Sequence, residues 1–117
     1  ITVFGCGGDR DKTKRPRMAA VAERLSDRII VTSDNPRTEN AALIIDDILA
    51  GFSRAIDGSR IVVEQDRRKA IGLAVANAGR NDIILLAGKG HEDYQIIGTE
   101  KHHFSDVEVA KEYLDLL

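Results

Sequence analysis

The run Ile29-Ile30-Val31, followed at once by Thr32-Ser33-Asp34-Asn35-Pro36-Arg37, decides how this chain folds. Three consecutive apolar residues without in/out alternation read as a strand buried on both faces, which belongs in a parallel sheet. The Asp-Asn-Pro-Arg turn then sits at a strand's carboxyl end, the edge where open α/β sheets bind ligands. Proline stiffens the turn and pushes Asn35 toward extended backbone. Asn35 can donate and accept, and Arg37 offers a planar fork of donors matched to a carboxylate or phosphate. Taken alone, these four residues read first as an Asx-type turn with a surface arginine, and two other loops shift that reading.

Outward from this segment, strands and helices alternate. Ile1 to Phe4 is a continuous apolar strand that breaks into Gly5-Cys6-Gly7-Gly8. Pro16 suits the first turn of a helix over about Arg15 to Leu25, with Met18, Ala19, Val21, Ala22 and Leu25 as its apolar stripe. Asn40 to Phe52 reads as a second helix, with Leu43, Ile44, Ile48 and Leu49 at helical spacing. Ile61-Val62-Val63 is a third strand, and Asp66 is placed to cap a helix running to Ala78. Gly51 to Arg60, between them, reads as a surface loop. Ile83 to Ala87 is the most hydrophobic strand of the chain. A short antiparallel pair is expected around Gln95–Ile97 and Lys101–Phe104, turning at Gly98-Thr99. Ser105 with Glu108 three residues on forms a capping box for a last helix to about Leu116. The pattern predicts an α/β fold: a Rossmann-like, doubly wound, mostly parallel sheet in three layers, with an antiparallel edge hairpin.

Composition narrows the function. At 117 residues the chain is one domain, and 43% apolar with 31% charged residues suits an ordinary globular core. A net charge of −2 argues against a broad nucleic-acid or membrane surface. The single cysteine, Cys6, excludes an internal disulfide and fits a cytoplasmic location; inside a strand end it reads as a small packed hydrophobe. No apolar stretch approaches the roughly 20 residues of a membrane span, and no signal-peptide pattern opens the chain. The start at Ile1, already in a strand, reads as a domain cut from a longer protein.

Three loops are expected on one rim of the sheet. The first, Gly5 to Arg15, combines glycines that let backbone amides approach an anion with a cluster of basic residues and two aspartates. The second is the Asp34–Arg37 turn. The third, Gly88-Lys89-Gly90-His91-Glu92-Asp93-Tyr94-Gln95, alternates cationic, imidazole and carboxylate groups between glycines. Neither a dinucleotide fingerprint nor a P-loop is present as spaced. His91, His102 and His103 lack the i, i+4 spacing of a metal site, and no metal ligands are assigned. Arginines, an amide and a carboxylate around one rim suit a zwitterion such as an amino acid better than a bare phosphate.

These segments resemble the C-terminal domain of the Mur ligases, in the branch that adds the third residue of the peptidoglycan stem peptide. The resemblance covers essentially residues 1–117. It rests on Phe4 through Lys12, Thr32 through Thr38, Asp47-Ile48-Leu49-Ala50-Gly51, Gly88 through Gln95 and Phe104-Ser105-Asp106, three separate motifs among them in order and at matching intervals. Thr13 stands where many relatives have glycine.

The resemblance implies a ligase that uses ATP and Mg2+. A substrate carboxylate on a UDP-sugar peptide is phosphorylated, and the amine of the incoming amino acid displaces the phosphate. The ATP and metal sites of the family lie mainly in a central domain, and the UDP-sugar site in an N-terminal one, so these two domains are the expected partners. The Asp-Asn-Pro-Arg turn implies meso-diaminopimelate as the amino acid. That ligand is lysine with an added distal carboxylate, which Arg37 can clamp bidentately. By the same resemblance Asn35 shares that carboxylate. The Gly88 carbonyl and Glu92 take the distal ammonium, and Arg10 takes the carboxylate beside the reacting amine. Asp34 and Pro36 shape the turn, and Asp9 and Lys12 face ATP. No residue of the chain is a nucleophile, so the implied work is positioning and electrostatics. A lysine-adding relative, a stand-alone amino-acid-binding module and a nucleotide-binding oxidoreductase domain are the alternatives.

Overall fold

A computed structural model describes residues 1–117. Four short parallel strands build the main sheet: β1 (Thr2–Phe4), β2 (Ile29–Val31), β3 (Ile61–Val63) and β4 (Leu85–Leu86). Their order across the sheet is β3-β2-β1-β4. Register places Val3 beside Ile30 and Leu86, and Ile30 beside Val62. The uninterrupted apolar triplets of β1 and β2 take the two central positions, where a parallel sheet is covered on both faces, while β3 lies at an edge with Val63 exposed.

Helices α1 (Lys14–Leu25) and α2 (Ala41–Leu49) cover one face. There Phe4, Ala19, Ala22, Val31, Ile44 and Ile48 form the larger buried cluster. Helices α3 (Arg67–Asn77) and α4 (Asp106–Asp115) cover the other face. Val3 and Ile30 pack there against Ala70 and Ala74, and Ile71 and Val75 pack against Val109. Side-chain caps start three of the helices, at Asp66 and Ser105 where they were expected and at Asn40 besides. Asn40 accepts from Ala42 N at 2.9 Å, Asp66 from Lys69 N at 3.2 Å, and Ser105 from Glu108 N at 3.3 Å. In α1 the cap position, Thr13, is already helical and makes no side-chain cap. Asp11 instead holds Thr13 through its amide and hydroxyl at 2.9 and 2.6 Å.

The antiparallel pair forms as β5 (Tyr94–Ile97) and β6 (Glu100–His103), in a two-stranded sheet of its own. One isolated parallel bridge, Arg37 to Ile97, pairs it with the backbone after β2. Two expectations of burial change. Ile83 to Ala87 is an edge with one neighbour, its ordered ladder shrinks to two residues, and Ile83 is 83% exposed. In the helical stripes Met18, Val21 and Leu25 face solvent, and Leu43 yields its expected inward place to Ile45. The cause is the same for the first four: no helix lies over β4 on the α1 side.

The chain runs β1-β2-β3 in one direction and then returns to place β4 on the far side of β1. That reversal is a topological switch point, the place where ligands bind in open α/β sheets.

Candidate functional site

Loops 1 (Gly5–Thr13), 2 (Thr32–Asn40) and 3 (Ala87–Asp93) leave the carboxyl ends of neighbouring strands β1, β2 and β4. They are cross-linked to an unusual degree. Gly8 N donates to the Asn35 carbonyl at 2.7 Å, so the two backbones run in contact. A Cβ at Gly8 would overlap the Pro36 carbonyl, which makes glycine obligatory there. Asp9 sits in the left-handed region at φ 55, and its carboxylate accepts from the Thr38 hydroxyl at 2.8 Å. Its amide donates to Glu39 at 2.8 Å.

Beneath these loops lie three buried cations. Arg15, at the start of α1, donates to the Gly7 carbonyl at 3.0 Å, to Glu39 at 3.1 Å and to Asp47 at 2.9 Å. Hydrogen bonds from Arg15, then from the Asp9 amide, hold the Glu39 carboxyl below its ordinary value. Arg67, in the first turn of α3, pairs with Asp106 at 2.7 and 2.8 Å and donates to the carbonyls of Ser33 and Ala87. It ties the ends of β2 and β4 to α4. Lys89, 2% exposed, donates to Asn35 Oδ1 at 3.0 Å and to the Tyr94 carbonyl at 2.8 Å. Its ammonium also lies 3.0 Å from Asp34 Oδ1, an ionic contact outside hydrogen-bond geometry that leaves that oxygen without a hydrogen-bond donor.

The hairpin closes the arrangement. Ile96 N donates to Asn35 Oδ1 at 2.9 Å, Gln95 donates to the Asp34 carbonyl at 2.7 Å, and Arg37 N donates to the Ile96 carbonyl at 3.1 Å. Arg37, like Asp9, has a left-handed backbone, φ 53. These two are the non-glycine residues of the chain with positive φ, and strain of that kind gathers at functional sites. The Arg37 guanidinium donates to the Gly8 carbonyl at 2.9 Å and is otherwise uncommitted within the chain.

The residues singled out from sequence therefore share one rim. Asn35 and Pro36 are buried, Asp34, Arg37 and Glu92 are half-buried, and Gly88 and Arg10 are exposed. Arg10 donates to the Asp9 carbonyl at 3.0 Å. Glu92 accepts from the Tyr94 hydroxyl at 3.3 Å. Lys12 projects into solvent 4.0 Å from Glu39. Asp9 and Glu39 are each committed to a partner inside the rim, and no three His, Cys, Asp or Glu side chains converge, so the residues present do not build a magnesium site. His103 stands apart on β6, where a 2.7 Å contact with Glu108 raises its pKa. Burial pushes the Cys6 thiol up to about 11, against a role as nucleophile. A groove of about 560 Å³ lies across the hairpin between Ser33, Gln65, Asp66, Gln95 and Phe104; Pro36 lines it, whereas Arg10, Asn35, Arg37, Gly88 and Glu92 do not.

Sequence reading missed the three buried cations as the rim's supports. Arg15 and Lys89 looked like members of charged loops, and nothing local distinguishes a buried cation from a solvated one before its partners are known. Chemically the rim can present donors to carboxylates and acceptors to an ammonium, and it has no group poised for covalent chemistry.

The model of the Mur ligase glutamate ligase domain matches residues 1–90. Over 114 residues the chain is 60% identical to the UDP-N-acetylmuramoyl-L-alanyl-D-glutamate--2,6-diaminopimelate ligase of Synechococcus sp. WH7803, covering 97% of this chain and 22% of that protein. The enzyme of the same name from Fusobacterium nucleatum subsp. nucleatum is 60% identical over 111 residues, 95% of this chain and 22% of its own. A solved structure of a ligase of that name superposes with a TM-score of 0.91 at 43% identity, covering 98% of this chain and 23% of that one. The chain thus spans between a fifth and a quarter of the length of these relatives. With its fold, its loop rim and its family model in agreement, this chain belongs to the Mur ligase family, in the part that the glutamate ligase domain model describes.

Proposed function

We propose that this chain is the amino-acid-binding, C-terminal domain of a three-domain, ATP-dependent ligase that joins meso-2,6-diaminopimelate to UDP-N-acetylmuramoyl-L-alanyl-D-glutamate. The observation that carries the reading is the Asp34–Arg37 turn. It is buried at Asn35 and Pro36, held by loops 1 and 3, and leaves the Arg37 guanidinium and the Asn35 amide nitrogen as donors on one rim.

In this reading Arg37 and Asn35 clamp the distal carboxylate. Glu92 and the Gly88 carbonyl take the distal ammonium, and Arg10 holds the carboxylate next to the reacting amine. Asp34 and Pro36 act through the shape of the turn. Asp9 and Lys12 are the residues assigned to face ATP, although the Asp9 carboxylate is engaged by Thr38 here. ATP, Mg2+ and the UDP-sugar peptide bind mainly on the two other domains. The chain contributes proximity: it presents the amine to an acyl phosphate formed elsewhere, a contribution that orientation alone can make large. A cytoplasmic location belongs to the same reading; no helix is long and apolar enough to cross a membrane.

The test is amino-acid selectivity of the full-length enzyme. ADP release with the UDP-sugar dipeptide, ATP and magnesium should depend on meso-diaminopimelate and be weak with L-lysine. Equal or better turnover with lysine would assign the chain to a lysine-adding enzyme.

A further inference from the structure

The side chain of Asn35 is held so that only one of its two orientations is possible. Its Oδ1 accepts from Lys89 Nζ at 3.0 Å and from Ile96 N at 2.9 Å. An amide oxygen has two lone pairs, and both are occupied. Turning the amide over would set its NH2 against an ammonium and a backbone N–H, neither of which can accept. Network chemistry therefore decides the orientation. Nδ2 has no partner in the chain and is not among its sealed, unpartnered atoms, so it keeps some accessible surface and is a free donor of an otherwise buried residue.

Lys89 has no freedom to do anything else. It is 2% exposed, and its ammonium is shared among Asn35 Oδ1, the Tyr94 carbonyl and the Asp34 carboxylate. It cannot reach a ligand, so whatever it contributes to binding passes through the residues it holds.

We propose that Lys89 is a positioning residue that locks Asn35 as a pure hydrogen-bond donor, so that the rim selects a carboxylate over the corresponding carboxamide at the distal end of the amino acid. The proposal rests on the preceding reading, in which Asn35 and Arg37 face that end. Both groups then present only N–H. A carboxylate satisfies them with two acceptor oxygens, whereas a carboxamide must place its own NH2 against one of the two donors. Sites built around a hydrogen bond reject analogues that leave a buried polar group unpaired far more strongly than analogues that differ in bulk. An Asn35 free to turn over would offer its carbonyl to the carboxamide, and the discrimination would shrink.

The experiment compares kcat/KM of the full-length ligase for meso-diaminopimelate and for the analogue carrying a carboxamide in place of the distal carboxylate. The parent should favour the carboxylate by roughly a hundredfold or more. Lys89→Met should reduce that ratio by about tenfold, with the loss appearing in KM for diaminopimelate more than in kcat. Asn35→Asp keeps the size of the side chain and its bonds from Lys89 and Ile96 but turns the outward atom into an acceptor. It should erase the preference for the carboxylate. A folded Lys89→Met enzyme whose ratio stays within about threefold of the parent would overturn the lock. Should that variant not fold, Asn35→Asp decides: an unchanged ratio shows that the outward atom is not the donor. A parent enzyme that ignores diaminopimelate altogether overturns the functional reading of the preceding section instead.

Discussion

At the carboxyl rim Arg15, Arg67 and Lys89 are almost wholly buried, while on the β4 flank Ile83 and Leu85 stand 83% and 57% exposed. The usual expectation for these residue types is reversed in both places, for one reason. Burial follows the layers of the fold. The rim lies beneath three loops and a hairpin, so cations there are buried and persist because each meets carboxylates and carbonyls at 2.7–3.2 Å. The flank has no covering helix, so even Ile and Leu remain in solvent and contribute little. Order at the rim rests on paired charge, and order in the core rests on apolar packing; the β4 flank draws little on either.

The comparison is broken most directly at Arg67. Arg67→Met should destabilise the chain by about 3–5 kcal/mol, because Asp106 is left buried and unpaired; urea unfolding measures it, and a loss below about 1 kcal/mol would mean that the rim does not depend on its buried pairs. Next in size is Arg37→Ala. Truncating one partner of a buried charged pair costs about 2–5 kcal/mol, so kcat/KM of the full-length enzyme for meso-diaminopimelate should fall by roughly 30- to 4,000-fold at 1.4 kcal/mol per decade. Lysine, which has no distal carboxylate, should lose far less.

A subtler probe is acid. The folded Glu39 carboxyl is held below its ordinary value of 4.5 by Arg15 and the Asp9 amide. Its stabilising contribution is therefore complete above 4.5 and is lost as pH falls through the lower, folded value. Amide signals of Asp9 and Thr38 should broaden or shift in that window before those of Ile30 in the core. The smallest effect belongs to the flank: Ile83→Thr should change the stability of this chain by no more than about 0.5 kcal/mol. A cost of 2 kcal/mol or more would show that Ile83 is packed in solution.

Fold class, element order and two of the helix caps were legible because they depend on local pattern. Asp66 and Ser105 announce helix starts through their own side chains, and uninterrupted runs such as Ile29–Val31 demand two covered faces. The place of β4 was not legible. Ile83–Ala87 has the composition of a central strand, and only its single neighbour, a fact of the whole topology, makes it an edge. Within the candidate site, the place of Asn35, Pro36 and Arg37 on the rim was legible from a proline-stiffened turn at a strand end. Lys89 was not, because its role depends on Asn35, 54 residues away, and on a hairpin whose docking leaves no mark in the sequence.

That hairpin meets the Asp34–Arg37 turn through few bonds: Arg37 N to Ile96 O, Gly98 N to Arg37 O, Ile96 N to Asn35 and Gln95 to Asp34. Should they open together, Arg37 and Asn35 would lose their register at once, while the main sheet would remain intact. In the proposed role, apparent affinity for the amino acid would scale with the fraction of molecules in which the hairpin is docked. Deuterium uptake at the Arg37 and Gly98 amides would measure that fraction directly, and a substitution in β5 or β6 far from any ligand could tune binding through residence in the docked state alone.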